Sequence, residues 1–138
     1  MSERAADEQA GQRRVWIVED EPAAAALATE LCESSGAEPT VYRSPLPFLT
    51  ALREGTGPDA IVLDWRLEHE LSAAIFLAIR HRYAWMPVIY WTGSPAETLP
   101  AMIRDDPGVR IVDKADGTAA FDRAVAWALE SIGGERSA

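Results

Sequence analysis

Val15-Trp16-Ile17-Val18-Glu19-Asp20-Glu21-Pro22 is the stretch on which the reading of this chain turns. Four apolar residues, rich in β-branched side chains, stop abruptly at three acids, and a proline follows. A short unbroken apolar run belongs to a strand buried on both faces. Proline suits the first turn of a helix, where its missing N–H has no partner in any case. Leu27 and Leu31 then fall one helical turn apart before Gly36 closes the segment, so the unit reads strand, acidic turn, helix.

Outward from this unit the pattern repeats. Thr40–Arg43 reads as a second strand, and a helix from about Pro45 to Glu54 is ended by Gly55, Gly57 and Pro58. Ala60-Ile61-Val62-Leu63 is a third buried strand, and it too ends in an acid, Asp64. Leu71, Ala74, Ile75, Ala78 and Ile79 form one stripe of a helix spanning Leu71 to Tyr83. Pro87–Trp91 is a fourth strand ending at Thr92-Gly93, and Val109–Val112 a fifth ending at Asp113-Lys114. Between these two, Pro95 and Pro100 permit only a short or irregular helix, starting near Leu99. Phe121, Val125, Ala128 and Ile132 mark a last helix that stops at Gly133-Gly134.

Five apolar runs alternating with helices imply an α/β doubly wound fold, a parallel sheet covered on both faces. A length of 138 residues fits one domain. That domain is expected over 14–133, between a disordered polar tail, 1–13, and a short C-terminal tail, 134–138.

The chain carries 22 acids against 13 bases, a net charge of −9, which argues against a nucleic-acid partner. No apolar run approaches the roughly 20 residues that span a bilayer, and the first residues lack the apolar centre of a secretory signal. No membrane partner and a cytoplasmic location are therefore expected. The single cysteine, Cys32, cannot form an internal disulfide and reads as a small buried helix residue. All the bases but one are arginine, and the exception is Lys114.

Doubly wound sheets bind ligands at the carboxyl ends of their strands, near the point where strand order reverses. The residues expected there are Glu19, Asp20, Asp64, Thr92 and Lys114. Clustered carboxylates repel one another unless a cation relieves them, and a hard divalent ion such as Mg2+ suits oxygen ligands. With a hydroxyl and an ammonium beside them, they suit phosphoryl transfer onto Asp64, whose new oxygens Thr92 and Lys114 can hold.

Taken together, V-E-D-E-P after the first strand, I-V-L-D-W at the third, W-T-G at the fourth and V-D-K at the fifth resemble the receiver domain of two-component response regulators. The resemblance covers about residues 13 to 133. It implies a (βα)5 flavodoxin-like sheet of order 2-1-3-4-5. It further implies Asp64 as phosphoacceptor, Asp20 as direct Mg2+ ligand, Glu19 acting through water, and the backbone carbonyl of Arg66 as another metal ligand. Thr92 becomes the switch hydroxyl and Lys114 the phosphoryl contact. The implied partners are a sensor histidine kinase or histidine phosphotransfer protein, docking near Ala23–Ala26, and a downstream protein target, with a homodimer left open. So read, the chain is a single-domain response regulator, a signalling protein rather than an enzyme, which assists its own phosphorylation and dephosphorylation.

The sequence departs from the family pattern at several positions. Ile111 replaces the usual aromatic, Ala115 the usual proline after the lysine, Glu68 a proline and Ser72 a glycine; the bond before Ala115 is expected to be trans. Arg66 and Ser94 occupy positions that tune kinetics in the family, and an arginine beside three acids is expected to slow dephosphorylation. Two alternatives stand beside this reading. A pseudo-receiver would bind partners without phosphorylation. A haloacid-dehalogenase-like phosphatase shares the Asp, Thr, Lys and Mg2+ but wants an acid where Arg66 stands. Trp65 is expected beside the metal, Trp127 exposed, and Trp16, Trp85 and Trp91 in or at the edge of the core. His69 and His81 are expected at the surface.

Overall fold

Strands β1 (Arg14–Val18), β2 (Glu38–Tyr42), β3 (Ala60–Leu63), β4 (Val88–Thr92) and β5 (Val109–Asp113) line up in the order 2-1-3-4-5. All four pairings are parallel. This is the arrangement in the computed structural model, which describes residues 12–67 and 70–137; most of the polar tail, with Glu68 and His69, lies outside the described residues. Helices α1 (Pro22–Ser34), α2 (Pro45–Arg53), α3 (Ala73–Arg82), α4 (Ala101–Arg104) and α5 (Thr118–Ser137) connect and follow the strands. None of the described helices is long and apolar enough to cross a membrane.

Alternation along each strand divides the core into two layers. Trp16 and Val18 of β1 join Phe48, Ile61, Leu63, Phe76, Ile79 and Tyr90 on the side of α2 and α3. Val15 and Ile17 join Val62, Ile89, Trp91, Phe121 and Val125 on the side of α1 and α5. The first layer is rich in rings: Trp16, Tyr42 and Phe48 meet edge-on with centroids 5.3 to 6.0 Å apart. The second has six alanines among its buried residues.

Helix α1 packs on the sheet through its small residues. Its buried side chains are Ala24, Ala25, Ala28 and Cys32, whereas Leu27 is 36% exposed. Small residues at helical spacing let the helix lie close to the sheet, and the leucines are left at its flank. Burial pushes the Cys32 thiol up to about 12, in keeping with a packing residue. Gly36 ends the helix with φ 83°, the left-handed conformation that a C-terminal cap requires and glycine adopts without strain.

Other elements also differ from expectation. Trp85 is 72% exposed, because Met86, next along the turn into β4, takes the buried place. On α3, Phe76 is buried and Ala74 exposed, which turns the stripe toward the ring layer. Helix α5 runs through Gly133-Gly134 to Ser137, since glycine weakens a helix without forbidding it. The short α4 follows a 3-10 turn at Ala96–Thr98, with Pro100 as its N-cap, as the two prolines require.

Two features have no counterpart in the sequence reading. After β3 the chain forms a small antiparallel hairpin, Arg66–Leu67 with Glu70–Leu71, closed by the Ser72 N–H donating to the Trp65 carbonyl at 2.8 Å. Ser72 itself is buried, its hydroxyl 3.5 Å from that of Tyr90. The second feature is Arg80 of α3. Its guanidinium donates to Asp106 at 2.7 and 3.2 Å and to the carbonyls of Met86 at 2.7 Å and Gly108 at 3.3 Å. It thereby ties α3 to the starts of β4 and β5, and it lies over the Phe76 ring at 5.0 Å.

Candidate functional site

Strand order reverses between β1 and β3, so the carboxyl ends of these two strands flank the crevice where such sheets bind ligands. The pairing Val18↔Leu63 places Glu19-Asp20 beside Asp64. Each of Glu19, Asp20 and Asp64 offers a carboxylate oxygen, and these oxygens all lie within 4.8 Å of one another. Glu19 and Asp64 are buried and Asp20 is partly exposed. The Glu21 N–H donates to Glu19 Oε2 at 3.2 Å and the Arg66 N–H to Asp64 Oδ1 at 3.3 Å, so both side chains are aimed by the backbone that follows them.

β5 carries the counter-charge. Leu63 pairs with Tyr90 and Thr92 with Asp113, which brings Lys114 to the same end of the sheet. The Asp113 carboxylate accepts the Ala115 N–H at 2.8 Å and starts the 3-10 turn that Lys114 opens. Lys114 Nζ lies 2.7 Å from Glu19 Oε1 and 3.0 Å from Asp64 Oδ2, an ammonium shared by two of the three acids.

Burial pushes the Glu19 carboxyl above the usual carboxylate range, against the hydrogen bonds from Lys114 and the Glu21 N–H. Burial also works against the Lys114 ammonium, but hydrogen bonds to Glu19 and Asp64 and their charge outweigh it and hold its pKa above the ordinary lysine value. The donor set, three carboxylates in an oxygen-only cluster, fits a hard divalent cation such as Mg2+.

Thr92 is buried at the end of β4, its Oγ1 accepting the Ser94 N–H at 3.1 Å. Arg66 lies in the hairpin with its side chain exposed, so what it gives the acids here is its backbone N–H. Trp65 is buried next to Asp64 and meets Tyr90 edge-on at 6.1 Å. The indole of Trp127 is partly covered, with the Arg110 guanidinium 4.2 Å over it. No cis peptide bond occurs among the described residues, so the bond before Ala115 is trans.

Sequence reasoning missed Arg43, whose guanidinium donates to the Asp20 carbonyl at 2.8 Å. The signal was available, a base ending β2 beside the acidic end of β1. It also missed Trp91, whose ring lies under Lys114.

The fold is that of response-regulator receiver domains. The chain is similar to a response regulator receiver protein from Sinorhizobium medicae WSM419, at 19% identity and a TM-score of 0.77 over 88% of this chain and 98% of that one. It is similar to the signal receiver domain of an HD domain-containing protein from Pseudomonas fluorescens Pf-5, at 18% identity and a TM-score of 0.79 over 91% and 93%. A response regulator receiver domain protein from Bacillus halodurans C-125 matches at 19% identity and a TM-score of 0.72 over 85% and 97%. No protein-family model and no curated protein matches the sequence.

Proposed function

We propose that this chain is a phosphoacceptor switch of the response-regulator kind, in which Asp64 takes a phosphoryl group from a phosphohistidine and the modified form is read by a downstream protein. One observation carries the reading: three carboxylates with oxygens within 4.8 Å of one another, beside an ammonium 2.7 and 3.0 Å from two of them, on a receiver fold. The same cluster without Lys114 would support cation binding only.

In the proposed reaction a carboxylate oxygen of Asp64 attacks phosphorus in line with the P–N bond of the donor. That bond breaks, its electron pair stays on the imidazole nitrogen, and an acyl phosphate remains on Asp64. Glu19, Asp20, Asp64 and the Arg66 carbonyl are the residues that would hold Mg2+, which when bound offsets negative charge on the phosphoryl oxygens. The Arg66 N–H orients Asp64. Lys114 turns from the carboxylates to a phosphoryl oxygen, and the Thr92 hydroxyl donates to another. Movement of these two residues draws on β4 and β5, which are paired along five registers.

Trp65 provides the test of cation binding. Its fluorescence is expected to change on titration with Mg2+ in the intact protein, and the change is expected to disappear in Trp65→Phe and to require millimolar-scale or higher Mg2+ in Asp20→Asn, about tenfold more than in the parent. An unaltered titration in Asp20→Asn would remove that residue from the ligand set.

Lys114→Arg tests the ammonium. A planar fork cannot stand in for a compact point charge between Glu19 and Asp64. Phosphorylated Lys114→Arg is therefore expected to show less than about a tenth of the conformational response of the parent, read by hydrogen exchange along β4 and β5. A full response would mean that the lysine is not the contact that reports the phosphoryl group.

A further inference from the structure

The indole N–H of Trp91 is, among the described residues, the only buried side-chain polar group without a hydrogen-bond partner. Phenylalanine or leucine would fill the position without stranding a donor, so burial alone does not account for an indole there. Two contacts do. Lys114 Nζ lies 5.3 Å from the centroid of the Trp91 ring, and Phe121 of α5 meets the same ring edge-on at 5.0 Å and 67°. What the indole offers beyond other apolar side chains is the aromatic face that binds a cation best.

The remaining holds on Lys114 are its hydrogen bonds to Glu19 and Asp64. Both acceptors belong to the carboxylate cluster, and a cation taken up there competes for the same oxygens. The ring does not compete in this way. It is held in place by its burial, at 4% exposure, and by Phe121, and neither of these involves the carboxylates.

We propose that Trp91 is a positioning residue for Lys114, a seat independent of the carboxylates that keeps the ammonium at the acid cluster when those carboxylates turn to a metal ion. The proposal rests on the phosphoacceptor reading for its consequence in catalysis, but not for its geometry.

The test uses the intact protein and the fact that Lys114 is its only lysine. Protein labelled at lysine gives a single side-chain ε-methylene signal in nuclear magnetic resonance spectra. Ring current from Trp91 is expected to move it upfield of free lysine, both without Mg2+ and in saturating Mg2+. The shift persists in part in Trp91→Phe and vanishes in Trp91→Leu. An unshifted signal in the parent, or one that loses its shift when Mg2+ is added, overturns the proposal.

The second arm is the rate of Asp64 phosphorylation by acetyl phosphate with Mg2+. Trp91→Leu is expected to slow it about tenfold and Trp91→Phe no more than about threefold. In a Lys114→Ala background Trp91→Leu adds no further slowing, because the residue it serves is gone. Equal slowing in both backgrounds would mean that Trp91 acts through general packing and would overturn the proposal. Should the parent accept no phosphoryl group, it is the phosphoacceptor reading that fails, and the lysine signal still decides whether the seat exists.

Discussion

Asp64→Asn is expected to abolish phosphoryl incorporation, lowering its rate by at least about a thousandfold. An amide has no anionic oxygen with which to attack phosphorus, yet it matches the carboxylate in shape. Asp64 Oδ1 accepts the Arg66 N–H and Oδ2 the Lys114 ammonium, and an asparagine oxygen can keep one of these bonds. Lys114 also retains Glu19, so the ammonium is not left unpaired in the variant. The loss is therefore one of chemistry rather than folding. The measurement is intact mass after incubation with Mg2+ and acetyl phosphate, where the parent gains roughly 80 Da, the mass of HPO3, and the variant gains nothing. A parent that gains no mass from acetyl phosphate or from a histidine kinase would instead favour a domain that binds partners without modification. Turnover of phosphomonoesters lost in Asp64→Asn would favour a phosphatase.

Arg80→Ala carries the largest expected effect on stability, about 2 to 3 kcal/mol, read as a lowered urea midpoint. The side chains of Arg80 and Asp106 are 15% and 19% exposed, so removing the guanidinium leaves a largely buried carboxylate without its counter-charge and takes a donor from the Met86 carbonyl, while the Gly108 carbonyl keeps the Val88 N–H. The effect has a pH signature. Burial favours the neutral acid at Asp106, but the hydrogen bonds from Arg80 and the Gly108 N–H and the arginine charge outweigh it and hold the carboxyl below its ordinary value of 3.8. A group with a lowered folded pKa contributes stability that is present above its ordinary value and lost as pH falls through the folded one. Asp106→Asn is accordingly expected to destabilise the protein at neutral pH and to converge on the parent in acid, below the ordinary aspartate range. A difference independent of pH would assign the effect to packing.

What the sequence made legible was whatever depends on local pattern. Unbroken apolar runs such as Ala60–Leu63 announced buried strands, and the polar residues ending them pointed to the end of the sheet where the acid cluster lies. Strand ends converge by topology, so Glu19, Asp20, Asp64 and Lys114 were brought together without knowledge of any side-chain geometry. What was not legible depends on the space left by neighbours. Leu27 is as apolar as any core residue, yet the alanines of α1 take the sheet face and leave it outside. Trp85 gives way to Met86 for the same reason. The pairing of Arg80 with Asp106 joins residues on different elements with no periodic signature. The Trp91 ring lies under Lys114 only because adjacent strands fix their relative heights, a matter of register rather than composition.

The hairpin behind Asp64 bears on binding through entropy. A connection that leaves a strand freely must be ordered when a ligand arrives, and each residue so fixed costs on the order of 1 to 2 kcal/mol of backbone freedom. Here the paired arms Arg66–Leu67 and Glu70–Leu71, with the Ser72 N–H bonded to the Trp65 carbonyl, bring that ordering into the folding reaction itself. The base of the loop has little backbone freedom left to lose, so a cation taken up by the acid cluster would be held with an affinity governed by charge and dehydration.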